Sequence, residues 1–212
     1  MEKVAEIIAN QLLQIKAIKL QPSNPFTWTS GWQSPIYCDN RKALSYSDVR
    51  TYIKNEFANA IREQFTDVDV IAGVATGAIA QGALVADVLN KPFIYVRSSP
   101  KEHGLENLIE GDLRPGQRVV IIEDLISTGG SSLKAAEAIR KSGSEVLGML
   151  AIFSYGFQTA IDNFAKANVK LSCLSNYETL IQVASKTGYV TEGDLEALGD
   201  WRKDPANWKC KR

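Results

Sequence analysis

A chain of 212 residues, 45% hydrophobic and 23% charged, carries enough apolar material for one sizeable core and a small appendage. Its 24 basic side chains balance 24 acidic ones, which excludes the basic excess of a general nucleic-acid binder. Cys38, Cys173 and Cys210 lie far apart with no CxxC pair, and a single histidine, His103, excludes a His-based metal cluster.

The opening stretch, MEKVAEIIANQLLQIKAIKL, interrupts its apolar residues with acids and amides, unlike a signal-peptide core. No run of about 18 apolar residues follows that could span a membrane, so a reducing, cytoplasmic setting is the expectation. Within that stretch Val4, Ile7, Ile8, Leu12 and Ile15 recur at helical spacing and predict an amphipathic helix. Aromatic and β-branched residues flanking Ser30-Gly31 then predict a short hairpin. A second amphipathic helix is expected to carry Val49, Tyr52, Ile53, Phe57, Ala60 and Ile61 on one face.

From Asp69 the pattern alternates strand, turn and helix. VIAGV (70–74), FIYV (93–96), RVVIIED (118–124) and VLGMLAIF (146–153) read as buried strands, and VKLSCL (169–174) as an edge strand. Such alternation predicts an α/β fold with a mostly parallel central sheet and helices on both faces. Residues 97–117 break the rhythm: they are polar, rich in glycine and proline, and without periodicity. A loop of that length inside a compact domain is usually functional or disordered. The last dozen residues, WRKDPANWKCKR, read as a docked or frayed tail.

The strongest chemical signal is VVIIEDLISTGGSS (119–132). An apolar strand runs into Glu123 and Asp124, then into Ser127, Thr128, Gly129, Gly130 and Ser131, and then into a helix. Unpaired N–H groups at a helix start, helped by the helix dipole, hold a phosphate well. Glycines permit close backbone approach, hydroxyls add donors, and carboxylates accept from sugar hydroxyls. The combination points to a ribose 5-phosphate. Neither GxxxxGK[ST] nor GxGxxG occurs in the chain.

That segment resembles the phosphoribosyl pyrophosphate motif of the type I phosphoribosyltransferases. The resemblance implies that Glu123 and Asp124 hold the ribose hydroxyls while Leu125, Ile126, Ser127, Thr128, Gly129, Gly130 and Ser131 wrap the 5′-phosphate. TSGWQSPIYCDNR (29–41) is similar to the N-terminal hood of the orotate-using branch of the family. YVRSSPKEHG (95–104) is similar to the start of its mobile catalytic loop, with Arg97, Lys101 and His103 at the basic positions. Thr29, Thr76 and Ser98 stand where some relatives carry basic residues, and SYGFQ lacks an arginine that some members have.

The organisation so implied is an N-terminal helix and hood hairpin over residues 1–45, then an α/β core with C-terminal helices over 46–212. The implied reaction moves the 5-phosphoribosyl group of phosphoribosyl pyrophosphate to orotate, with Ser127 touching orotate. Arg97, Lys101 and His103 would neutralise the leaving diphosphate. The implied cofactor is Mg²⁺, held mainly by substrate rather than directly by the protein. The implied assembly is a homodimer whose mobile loop is shared, with no nucleic-acid or membrane partner.

Some readings stay open at this level. Arg97, Lys101 and His103 could form only a solvated surface. Residues 73–82 could pack tightly through Gly77, Ala78 and Ala80 or offer N–H groups to pyrophosphate. Trp28, Trp32 and Tyr37 could pack the hairpin or stack a base. A purine or uracil phosphoribosyltransferase, or a non-catalytic sensor of phosphoribosyl pyrophosphate, are the alternatives.

Overall fold

Successive strand residues point to opposite faces, so fully apolar runs such as VIAGV need cover on both sides. The computed structural model, which describes residues 2–28, 31–97 and 108–210, provides that double cover. Helix α1 (Glu2–Gln14) leads to strands β1 (Ile18–Leu20), β2 (Phe26–Thr27), β3 (Gln33–Ser34) and β4 (Ile36–Cys38). A 3₁₀ turn (Asn40–Ser45) and α2 (Ser47–Gln64) precede β5 (Val70–Val74), α3 (Ile79–Leu89), β6 (Phe93–Val96) and β7 (Ile109–Glu110). Then come β8 (Arg118–Ile126), α4 (Gly130–Lys141), β9 (Glu145–Ser154) and α5 (Gln158–Lys166). Strand β10 (Leu171–Asn176), α6 (Tyr177–Lys186) and α7 (Glu192–Lys203) complete the chain.

Six strands join in the order β10-β9-β8-β5-β6-β7, and all but β7 run parallel. Val70, Ala72, Val119, Ile121, Met149 and Ala151 face one way, packed with Ala135 and Ile139 of α4 and Phe164 of α5. Ile71, Val120, Ile122, Leu150 and Ile152 face the other, beneath α1, α2, α3, α6 and α7. The strands at 70–74 and 93–96 match the sequence expectation residue for residue. Strand β8 runs two residues beyond Asp124, because Leu125 and Ile126 pair with Phe153 and Ser154 of β9. Strand β10 is the expected edge, shifted to Leu171–Asn176.

The segment read as an unbroken loop contains a strand. Ile109 and Glu110 pair antiparallel with Val96 and Tyr95, too short a ladder to leave a periodic signature. The expected hairpin is present and is nested: β2 pairs β3 inside, and β1 pairs β4 outside. Trp28 leans from it onto Tyr155 and Trp201, with ring centroids 5.3 and 5.7 Å apart. The tail is docked, since Trp201 is fully buried within α7 and the Cys210 thiol lies 3.3 Å from the Pro22 carbonyl. Among the described residues no helix is long and apolar enough to cross a membrane.

Candidate active site

The carboxyl ends of β5, β6, β8 and β9 open on one sheet edge, where ligands of parallel α/β sheets bind. Pairing between β5 and β8 stops at Gly73 and Ile122, so the two acids stand just past the last shared rung. Glu123 turns inward and is 5% exposed. Its Oε2 accepts from the Ser132 hydroxyl at 2.7 Å, and its Oε1 accepts from the Asp124 N–H at 2.9 Å. Burial, then a hydrogen bond and charge from Asp124, raise its pKa to about 8, with Ser132 pulling the other way. Asp124 is the half-buried acid at the groove. Its carboxylate lies so close over Gly77 that a Cβ there would collide with the carboxyl carbon and both oxygens.

Ser127, Thr128 and Gly129 carry the chain from β8 into α4. Gly129 takes φ +80°, a left-handed conformation that glycine adopts without steric cost. It is the N-cap, so no side chain caps the helix, and a Cβ built at Gly130 would meet nothing within 4 Å. Gly130, Ser131 and Thr128 are exposed and Ser127 is half-buried. From α5, Asn163 donates to the Thr128 carbonyl at 3.0 Å and steadies the turn. Ile126 is fully buried in the core, so only its backbone reaches the edge, whereas Leu125 is partly buried and lines a cavity.

That cavity, of about 580 Å³, lies between the hairpin and the turn. Trp28, Trp32, Tyr37, Cys38, Ser127, Thr128 and Tyr155 are among its walls. Trp28 both lines this cavity and holds the hairpin, donating from Nε1 to the Ile36 carbonyl at 3.1 Å. Burial pushes the Cys38 thiol and the Tyr155 phenol well above their ordinary pKa values, so both stay neutral. At the SYGFQ turn an arginine does arrive, from α7: Arg202 donates to the carbonyls of Tyr155 and Gly156 at 3.3 and 3.1 Å.

On the opposite flank, the N–H of Arg97 donates to the Leu108 carbonyl at 2.8 Å. Its guanidinium lies 3.5 Å from Glu110 and shares a cleft with Ala75, Ser131 and Lys134. Lys101 and His103 fall outside the described residues. The Ala75–Thr76 peptide bond is cis, and α3 follows the N-cap Ala78 without a side-chain cap.

Several contributors carry no local sequence signal. Asn40 donates from Nδ2 to the Asp124 carbonyl at 2.7 Å across 84 residues of chain. Gly77 meets Asp124 only through the fold. Ser132 sits inside the quoted motif, but its bond to Glu123 appears only once the helix has turned.

An open helix start, an adjacent acid and an aromatic cavity lie together on one parallel-sheet edge, where α/β proteins of this class take their ligands. The family model described as phosphoribosyl transferase domain matches residues 41–186. An orotate phosphoribosyltransferase of Phocaeicola vulgatus is 63% identical over 99% of both chains. The crystal structure of orotate phosphoribosyltransferase from Aeropyrum pernix superposes with a TM-score of 0.74 at 28% identity, covering 87% of this chain and 99% of that one. The structure of Leishmania donovani UMP synthase gives a TM-score of 0.79 at 26% identity; it covers 94% of this chain, which spans only 42% of that longer one. The chain belongs to the orotate phosphoribosyltransferases, type I phosphoribosyltransferases that join the phosphoribosyl group of phosphoribosyl pyrophosphate to orotate in pyrimidine biosynthesis.

Proposed function

We propose that this edge carries the family's reaction through the following division of labour. The 5′-phosphate of phosphoribosyl pyrophosphate sits on the N–H groups at the start of α4, with Ser127, Thr128 and Ser131 adding hydroxyl donors. The observation that carries this is the uncapped helix start behind Gly129, with open space at Gly130. Asp124 accepts from the ribose hydroxyls, and Glu123 stands behind it as its inner partner. Orotate lies in the aromatic cavity, with its N1 directed at the anomeric carbon and Ser127 at the boundary between base and phosphate.

Breaking the bond from the anomeric carbon to diphosphate oxygen builds positive charge on the ribose and negative charge on the leaving group. Catalysis is then positioning and charge stabilisation. Arg97 stands at the root of the loop, and Lys101 and His103 complete the cationic set around the diphosphate. Among the described residues no three His, Cys, Asp or Glu side chains gather as a metal cage. Among the described residues Asp124 is the carboxylate that would help hold an Mg²⁺ ion, which would otherwise be held mainly by substrate. Bound there, the ion would neutralise charge on the diphosphate. A homodimer that shares its loops, working in the cytoplasm, completes the proposal.

The test is direct. Purified protein, orotate, phosphoribosyl pyrophosphate and Mg²⁺ should consume orotate, read by its absorbance, and release pyrophosphate. Uracil or adenine in place of orotate should give no turnover, and chelating the metal should stop the reaction. Turnover of uracil or adenine but not of orotate would reassign the acceptor.

A further inference from the structure

Asp124 is held from both sides by buried groups. Its N–H is taken by the Glu123 carboxylate at 2.9 Å, and its carbonyl by the Asn40 amide at 2.7 Å. Those are the two peptide groups flanking its Cα, and fixing both fixes the direction in which the carboxylate leaves the backbone. The Asn40 bond answers a need created by topology. Strand β5 stops pairing with β8 at Ile122, so beyond that rung β5 gives the backbone of β8 no further partner.

Asn40 is itself well determined. It is 2% exposed and opens the 3₁₀ turn that follows the hairpin. A carbonyl can only accept, so Nδ2 must face Asp124 and Oδ1 must face away. Oδ1 then meets the Cys38 thiol at 3.3 Å, and that thiol, buried and kept neutral, donates to it. Cys38 is also a wall of the aromatic cavity. A single buried amide therefore joins the wall of the base cavity to the backbone of the sugar-binding acid.

We propose that Asn40 is a positioning residue that aims Asp124 at the ribose of phosphoribosyl pyrophosphate. The inference rests on the assignment of Asp124 to the ribose.

The experiment compares Asn40→Leu, which keeps the branched shape without a donor, with Asn40→Ala, which removes the same donor in a smaller residue. Steady-state kinetics are run with each substrate varied in turn, and melting curves confirm folding. Both variants should raise KM for phosphoribosyl pyrophosphate about tenfold, or roughly 1.4 kcal/mol, and leave KM for orotate within about twofold. Should leucine disturb the fold, alanine reports the same loss. An unchanged KM for phosphoribosyl pyrophosphate in a folded variant overturns the proposal. So does a parallel rise in both KM values, the mark of a merely structural role. Asp124→Asn is measured alongside: if it binds phosphoribosyl pyrophosphate normally, the ribose assignment fails first, whereas damage there with normal Asn40 variants sinks only the role of Asn40.

Discussion

Two neighbouring strands end on the same sheet edge and each turns into a helix, yet the two turns are built in opposite ways. After β5 the turn is small and closed, with Gly77 pressed against the Asp124 carboxylate and the backbone at Ala78 folded back against Gly73 of the strand. After β8 the turn is hydroxylated and open, with Gly130 facing free space and no side chain over the helix start. Both use glycine under a close neighbour, Gly77 beneath Asp124 and Gly129 beside Phe164, but only the second turn adds a glycine, Gly130, with open space in front of it. The closed turn packs against the acid, and the open turn is the proposed site of the phosphate.

Alanine at the two glycines should separate these roles most sharply. Gly77→Ala drives a methyl into Asp124, so overpacking of about 1–3 kcal/mol is expected, or displacement of the carboxylate. Turnover should fall about a thousandfold, roughly 4 kcal/mol of barrier, and the melting temperature by roughly 2–10 °C. An active, stable Gly77→Ala enzyme would show that the contact with Asp124 is slack. Asp124→Asn should come next, losing about a hundredfold in kcat/KM, or roughly 3 kcal/mol of transition-state stabilisation, while melting as the wild type does.

Gly130→Ala should do the reverse of Gly77→Ala. It lies in helical backbone with open space, so the protein should gain about 0.4–1 kcal/mol, while KM for phosphoribosyl pyrophosphate rises roughly tenfold because the methyl sits where the phosphate approaches. A stabilised variant with unaltered KM would move the phosphate elsewhere.

A pH dependence gives a further contrast. Glu123 is raised from 4.5 to about 8 by burial beside Asp124. A carboxyl raised in this way binds more protons folded than unfolded, so its contribution is full below about 4.5 and is lost as pH climbs through about 8. Glu123→Gln removes that titration. The melting temperature of the variant relative to wild type should therefore climb across this window and level off above it. A flat difference would mean that Glu123 titrates normally.

Much of this was legible in the chain because it is contiguous. The strands at 70–74 and 93–96 and the turn from Glu123 to Ser131 each lie in one uninterrupted run, where strand composition and turn chemistry speak directly. The contacts that aim the acid were not legible. Asn40 and Asp124 are 84 residues apart, and nothing near either residue announces the other. The short strand Ile109–Glu110 was hidden as well, since two residues cannot show a period. Glu123 and Asp124 look equivalent as a pair of acids, and only burial separates the inner one from the outer.

Whether the open turn is the phosphate site can be settled by a crystal of the protein grown with ribose 5-phosphate. The phosphate should lie within hydrogen-bonding distance of the N–H groups of Gly129, Gly130 and Ser131, with the ribose hydroxyls on Asp124. A ribose 5-phosphate found against the β5 turn, or bound with Asp124 facing away from the sugar, would contradict the assignment of the two turns.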